Sequence, residues 1–376
     1  MKKFYMFLDD RLKFIKLISK ELKPEHFLIM SKTEVLSIAN SYISQLTDPK
    51  FRTLKFKQPD VSQLIAFTRP IFLSEPTVLQ LHPPLNIVGD IHGQFPDLIR
   101  LFSMDELPPN SKYLFLGDYI DRGPQGLEVM CLLLSLKSKF PNHIFLLRGN
   151  HETREMTEIY GFFIECSSKI NKAIYSEFID LFDSLPLAAV IGTKIFCIHG
   201  GLTPDLHSLS QISSIKRPTT IEEAGFLADL VWSDPSTQVT EFGPNELRGK
   251  TVVWGLGPAE SFLQQNGFTK LIRAHQMVEG IEYPFSPNES VITVFSAPYY
   301  AGEFKNKGAF LKVDKSLNIE AIFLPHEPSK QAGPQLPYTG PGSKDKDSDK
   351  GKGGKGKGKD KKFDKKKGGK SSKIPK

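Results

Sequence analysis

Three short apolar runs in the first half of the chain give way within two residues to a glycine and a polar side chain. They are Leu85-Asn86-Ile87-Val88 before Gly89-Asp90, Lys112-Tyr113-Leu114-Phe115-Leu116 before Gly117-Asp118, and Ile144-Phe145-Leu146-Leu147 before Gly149-Asn150. Each run reads as a buried strand. Between them, residues 95–102 and 126–140 place apolar residues at helical spacing, for example Leu127, Met130 and Leu134 with Leu133 or Leu136. Asp90 and Asp118 are 28 residues apart, and Asp118 and Asn150 are 32. Both intervals match the roughly 30 residues of a β-α-β unit, so the chain is expected to return repeatedly to one edge of a sheet. Ligands of such sheets gather beyond the carboxyl ends of the strands. The glycines let the backbone leave each strand sharply without a Cβ penalty.

Four further strand-like segments, 271–273, 291–295, 309–313 and 319–324, have no long helices between them. They predict a second, mostly mixed or antiparallel sheet. The expected architecture is therefore α/β (α+β), with two sheets packed face to face and helices outside. Upstream, helices are expected over residues 1–22, 31–46 and 61–68; the first carries Phe4, Leu8, Leu12, Ile15, Ile18 and Leu22 on one side. Pro70 and Pro76 then interrupt the pattern. The divisions are a helical N-terminal extension over 1–54, a catalytic body over 55–327 and, from residue 328 to 376, a Lys/Gly-rich tail expected to be disordered.

Charge sharpens that division. The formal net charge of +7 is concentrated in residues 343–376, where fifteen lysines stand against five aspartates, leaving a slightly acidic remainder at −3. A basic core is thus excluded, and weak polyanion binding is an expectation for the tail alone. No apolar stretch reaches 18 residues, so no membrane span is expected. Asp9 and Asp10 cut short the one leader-like run, and Lys2 and the terminal Lys373-Ile374-Pro375-Lys376 exclude myristoylation and prenylation motifs. Cys131, Cys166 and Cys197 show no paired spacing and read as buried thiols of a reducing compartment.

Six motifs carry the candidate chemistry: Gly89-Asp90-Ile91-His92-Gly93, Gly117-Asp118-Tyr119-Ile120-Asp121-Arg122-Gly123, Gly149-Asn150-His151-Glu152, His199-Gly200-Gly201, Arg248-Gly249 and Arg273-Ala274-His275. Any one alone is an ordinary turn. Together they supply oxygen and nitrogen donors for two ions, with two arginines suited to a phosphate. Imidazole with carboxylate favours Mn, Fe or Zn over Ca or Mg. A single aspartate can bridge two ions, and paired ions ionise a water near neutral pH and stabilise both oxygens of an in-line displacement. The pattern points to metal-assisted hydrolysis of a phosphate ester.

Gly-Asp-Ile-His-Gly-Gln at 89–94, Gly-Asp-Tyr-Ile-Asp-Arg-Gly at 117–123, Leu-Arg-Gly-Asn-His-Glu at 147–152, Ile-His-Gly-Gly-Leu at 198–202, Arg-Ala-His-Gln at 273–276 and Ser-Ala-Pro at 296–298 resemble the phosphoprotein phosphatase family of serine/threonine phosphatases, within the metallophosphoesterases. Gly302-Glu303-Phe304 looks most like the type-1 catalytic subunits. The resemblance spans about residues 60–325 and implies the four-layer metallophosphoesterase arrangement. It implies that Asp90, His92 and bridging Asp118 hold one metal, and Asp118, Asn150, His199 and His275 the second. Arg122 and Arg248 would clamp the phosphate with Asn150 nearby, and His151, oriented by Asp121, would protonate the departing oxygen. Tyr300 would line the phosphate pocket, with Met156, Tyr160 and Trp232 along a hydrophobic groove. Hydrolysis would then proceed by direct attack of a hydroxide held between the ions. Manganese is the expected metal in vitro, with iron or zinc in cells.

The resemblance further implies phosphoprotein substrates, regulatory or targeting subunits, and a cytoplasmic or nuclear location. Three departures stand out, the first being Tyr299 where the family usually has asparagine. Ala301 offers no thiol where the family usually has cysteine for covalent attachment of cyclic peptide toxins, and Ala321 is small where an aromatic would line the regulator channel with Leu317 and Ile319. The competing readings are a nucleotide or diadenosine polyphosphate phosphoesterase of the same superfamily, and a catalytically silent scaffold. The helical insert over 153–185 and the Ser-Ala-Pro-Tyr-Tyr loop favour the protein phosphatase.

Overall fold

The computed structural model describes residues 30–325. The expected helix over 1–22 and the Lys/Gly-rich tail lie outside the described residues. Fourteen strands are present among the described residues: β1 (Val78–Leu81), β2 (Leu85–Val88), β3 (Tyr113–Phe115), β4 (Ile144–Leu146), β5 (Ala188–Ile191), β6 (Ile195–Ile198), β7 (Asp234–Pro235), β8 (Phe242–Pro244), β9 (Val252–Trp254), β10 (Lys270–Arg273), β11 (Ile281–Glu282), β12 (Val291–Val294), β13 (Ala309–Val313) and β14 (Ile319–Phe323).

The 30-residue repeat produces what it predicts. Strands β2, β3 and β4 lie parallel and adjacent, with Val88 opposite Phe115 and Phe115 opposite Leu146. Helices Phe95–Met104 and Gly126–Lys139 make the crossovers. The second expected sheet is corrected in part. Strands β10 and β12 do pair in parallel within a six-stranded sheet of order β1-β5-β6-β10-β12-β11. Strand β13, however, runs back antiparallel along β2, and β14 pairs antiparallel with β13 at the edge, completing the first sheet in order β14-β13-β2-β3-β4. The physical reason is that β2 would otherwise be an open edge with buried, unpaired backbone, and a hairpin closes it without a crossover. Leu317 stands in the hairpin turn at φ +67°, outside the strand. A small third sheet, β7-β9-β8, was not expected.

Alternation along the strands builds the layers. Ile87, Leu114, Leu311 and Val313 of one sheet face Leu79, Ala189, Cys197, Ile272 and Ile292 of the other, forming the core between the sheets. Val88, Phe115 and Phe310 point the opposite way, into helices Gly126–Lys139, Gln58–Ser74 and Lys172–Phe182. Phe196, Ile198 and Leu271 point outward from the second sheet onto Phe262 and Leu263 of helix Leu256–Asn266. The result is helix, sheet, sheet, helix, as expected. Helix Lys32–Leu46 buries Val35, Ala39, Tyr42 and Leu46 in the same core as helix Gly126–Lys139. Its start is fixed by Ser31, whose hydroxyl accepts from the Glu34 amide while Glu34 accepts from the Ser31 amide. The expected insert is three helices, Arg154–Tyr160, Phe162–Lys169 and Lys172–Phe182. No helix among the described residues is long and apolar enough to cross a membrane.

Candidate active site

The two sheets converge at one point. Asp90, just past β2, forms a single parallel bridge to Phe295, just past β12. The carboxyl ends of β2, β3, β4, β6 and β10 all open there, which brings together Asp90, His92, Asp118, Asn150, His151, His199 and His275 from motifs spread over 185 residues. All seven are buried. The loops that carry them are strained: His92, Asp118, Asp121, Arg122 and His275 hold φ between +48° and +68°. Each such residue costs on the order of 1 kcal/mol or more, and such strain concentrates at functional sites. Glycine is required where the loops touch. Gly117 lies at φ +121°, and a side chain on it would strike the Gly149 backbone, while one on Gly149 would strike the Asp118 carboxylate.

Hydrogen bonds fix which imidazole nitrogens face inward. His92 Nδ1 donates to the Ile120 carbonyl (3.0 Å) and His199 Nδ1 to the Leu116 carbonyl (3.1 Å). Their Nε2 atoms therefore face inward and carry the lone pairs when the rings are neutral; burial favours the neutral form of His199, but the Asp118 carboxylate outweighs it and raises the His199 pKa above its ordinary value. His92 Nε2 faces Asp118 Oδ2 at 3.5 Å and Asp90 Oδ2 at 3.7 Å; His199 Nε2 faces Asp118 Oδ1 at 3.4 Å and Asn150 Oδ1 at 2.9 Å. Lone pairs aimed at oxygens repel unless a cation sits among them. Burial, reinforced by His151, pushes the His92 pKa down to about 3, which keeps it a neutral donor. Burial would raise that of Asp118, but the positive charge that His199, His151 and His92 bring when protonated holds it well below the carboxylate range, as a bound cation in their place would.

Two donor groups follow, His92 with Asp118 and His151, and Asp118 with His199 and His275; within each, the donor atoms lie within 4.8 Å of one another. Asp118 belongs to both. In addition, Asp90 Oδ2 and His275 Nε2 are buried with no hydrogen-bond partner. Buried polar atoms of that kind call for a ligand. The set could hold metal ions and fits a pair of borderline transition metals sharing one carboxylate.

The remaining expected residues cluster around this centre. His151 Nδ1 sits 2.7 Å from Asp121 Oδ2, and Asp121 Oδ1 accepts from the Phe162 amide at 2.9 Å. With Nδ1 held by Asp121, Nε2 is the remaining ring nitrogen, and burial lowers the His151 pKa to about 4 while raising that of Asp121, so the ring rests neutral until a proton is added there. The Arg122 guanidinium lies 3.8 Å over the Tyr160 ring, which in turn lies 5.2 Å from the His151 ring. Trp232 sets its edge against His275 at 5.4 Å, and Tyr300 lies 5.0 Å from His92. Met156 is buried in helix Arg154–Tyr160.

Two residues escaped the sequence reading. The Glu152 carboxylate accepts from the amides of Asp118 (2.8 Å), Tyr119 (2.9 Å) and Gly149 (3.0 Å), locking two donor-bearing loops to each other. Asp234 takes Arg273 (2.9 Å) on Oδ1 and Asn245 (3.0 Å) and Arg248 Nε (3.0 Å) on Oδ2. It is the anchor of Arg248, whose Nη2 also reaches the His275 carbonyl at 3.4 Å. Glu152 had a signal, its place inside the Gly-Asn-His-Glu motif. Nothing near Asp234 in sequence announces its partners.

A phosphoesterase centre is what this fold and donor set define. The family profile described as calcineurin-like phosphoesterase matches residues 83–279, and the chain belongs to that family. Among solved structures, it is similar to a protein serine/threonine phosphatase from Saccharomyces cerevisiae with similarity to human phosphatase PP5, at 32% identity over 78% of this chain and 96% of that one, with a TM-score of 0.67. A cold-active protein-tyrosine phosphatase of a psychrophilic Shewanella species matches more distantly, at 16% identity over 68% of this chain and 84% of that one, with a TM-score of 0.47.

Proposed function

We propose that this protein is a serine/threonine protein phosphatase that hydrolyses phosphoserine and phosphothreonine esters. The observation that carries the reading is the pair of donor groups sharing Asp118, with Arg122 and Arg248 anchored beside it. The similarity to the yeast phosphatase and the three-helix insert support protein rather than nucleotide substrates. Asp90, His92 and Asp118 would hold one ion, and Asp118, Asn150, His199 and His275 the other. When bound, two divalent ions supply an ionised water and neutralise charge on the phosphate.

The chain's own side chains do the rest. Arg122 and Arg248 bind and orient the phosphate oxygens through fork-shaped donors, and Asn150 adds an amide. In its protonated form His151 gives its Nε2 proton to the departing serine or threonine oxygen and becomes neutral, while Asp121 holds Nδ1–H and stabilises the imidazolium before the transfer. Tyr160, Trp232 and Tyr300 wall the site, excluding water around the bound ester.

Regulatory or targeting subunits are part of this proposal. Among the described residues strand β14, carrying Ile319 and Ala321, is an edge strand, whose outer side suits a partner strand. Gly302-Glu303-Phe304 supports a type-1-like surface.

A substrate panel tests the reading. With manganese supplied, turnover of phosphoserine and phosphothreonine peptides is expected to exceed that of mononucleotides and diadenosine polyphosphates. The reverse order would replace it with the nucleotide reading, and no turnover of any of them would leave only a scaffold.

A further inference from the structure

Loop 121–127, which carries Arg122, is held from outside the metal centre. The three-helix insert grips five of its residues. The Glu165 carboxylate accepts from the amides of Gly126 (3.0 Å) and Leu127 (2.9 Å), capping helix Gly126–Lys139 from another element. Lys169 Nζ donates to the Pro124 carbonyl (2.8 Å), to Glu165 (2.8 Å) and to Glu128 (2.7 Å). The Phe162 amide holds Asp121, the Tyr160 carbonyl accepts from the Arg122 amide (3.1 Å), and the Tyr160 ring supports the Arg122 guanidinium.

That grip has a physical purpose. Asp121 and Arg122 both sit at φ near +66°, a conformation that relaxes unless the surroundings enforce it. Helix Gly126–Lys139 has no side-chain cap of its own, so its first amides depend on Glu165. Glu165 and Glu128 are buried, and their charges are tolerable together because Lys169 lies between them. Removing the ammonium would free the Pro124 carbonyl, two residues on from Arg122, and set two carboxylates against each other.

We infer that Lys169 and Glu165 are positioning residues for the phosphate clamp: the insert holds Arg122 in its strained, phosphate-facing conformation through the Lys169–Glu165–Glu128 cluster. The inference rests on the clamp role of Arg122 proposed above. The insert is thereby a support of catalysis as well as a wall of the site.

The test compares wild type, Lys169→Met, Lys169→Arg, Glu165→Gln, Arg122→Ala and Lys169→Met in the Arg122→Ala background, all supplied with manganese. A Lys169→Met/Glu128→Gln variant removes the uncompensated carboxylate should Lys169→Met alone fold poorly. Inhibition by inorganic phosphate, KM and kcat on a phosphoserine peptide, bound manganese, and amide exchange over residues 121–127 are measured. Lys169→Met and Glu165→Gln are expected to raise the phosphate inhibition constant and KM roughly ten-fold, the effect of a slightly misplaced binding group, with kcat and metal content little changed. Exchange at Gly126 and Leu127 should quicken, Lys169→Arg should restore phosphate affinity, and the substitution should add nothing once Arg122 is alanine. Unchanged phosphate inhibition and exchange in Lys169→Met, or losses that add to those of Arg122→Ala, would overturn the inference while leaving the phosphatase reading intact. Phosphate inhibition indifferent to Arg122→Ala would instead defeat the clamp role itself, and the inference with it.

Discussion

Replacing Asp234 with asparagine gives the sharpest trial of how the site is assembled, because this residue anchors Arg248 by a direct bond while the expected metal ligand His275 stands 3.9 Å away at Nε2. The two side chains have the same shape, so packing is conserved. What changes is chemistry: Oδ1 can still accept from Arg273, but the new amide group replaces Oδ2 and turns its own hydrogens toward Arg248 Nε and Asn245 Nδ2, both donors at 3.0 Å. One charge-assisted bond to Arg248 is lost and replaced by donor against donor. Such bonds are worth roughly 1.5–3 kcal/mol, which corresponds to about a 10- to 150-fold loss in kcat/KM if Arg248 must stay aligned for the phosphate. Arg273, wholly buried, also loses its counter-charge, so thermal stability should fall by a few degrees. The assay is steady-state turnover of a phosphoserine peptide alongside inhibition by inorganic phosphate, each repeated in an Arg248→Ala background. The reasoning predicts that Asp234→Asn costs little once Arg248 is gone. Activity within two-fold of wild type, or a loss that adds fully to Arg248→Ala, would refute it.

Other expectations are as direct. His151→Asn should retain metal yet slow phosphoserine turnover by roughly 10²–10⁴-fold, with a smaller loss on para-nitrophenyl phosphate, whose leaving group needs less protonation; equal losses on both would count against a proton donor. Asp118→Asn should reduce the content of both ions, because each of its oxygens faces a different histidine; metal analysis showing two ions still bound would rule out the shared-ligand role. Cys131, Cys166 and Cys197 are buried, and burial pushes all three thiols above their ordinary range. A thiol reagent should therefore find none of them in the folded protein and three after denaturation.

The site was more legible than the sheet that supports it. Gly-Asp, Gly-Asp and Gly-Asn at near-equal spacing state both where strands end and what lies beyond them, so Asp90, Asp118 and Asn150 could be placed together without coordinates. His199 and His275 follow the same grammar on β6 and β10. Strand partners obey no such local rule. The alternation in 309–313 and 319–323 says that these are strands, but pairing with β2 is decided by an open edge more than 200 residues earlier. Strands β1 and β5 are as short as β2 but lead into no Gly-Asp or Gly-Asn turn, so nothing after them marks a strand end. Asp234 and Glu165 were invisible for a related reason. A carboxylate's role here is set by the backbone amides or guanidinium it meets across the fold, 39 residues away in both Glu165–Gly126 and Asp234–Arg273.

The account turns on two ions sharing Asp118 in a centre that cleaves phosphoprotein esters. Metal-stripped protein titrated with manganese, while inorganic phosphate released from a phosphoserine peptide is followed, tests this most directly. Phosphate release should climb to a plateau at two equivalents per chain and vanish again with chelator. A plateau at one equivalent, or no phosphate released at any manganese concentration, would contradict it.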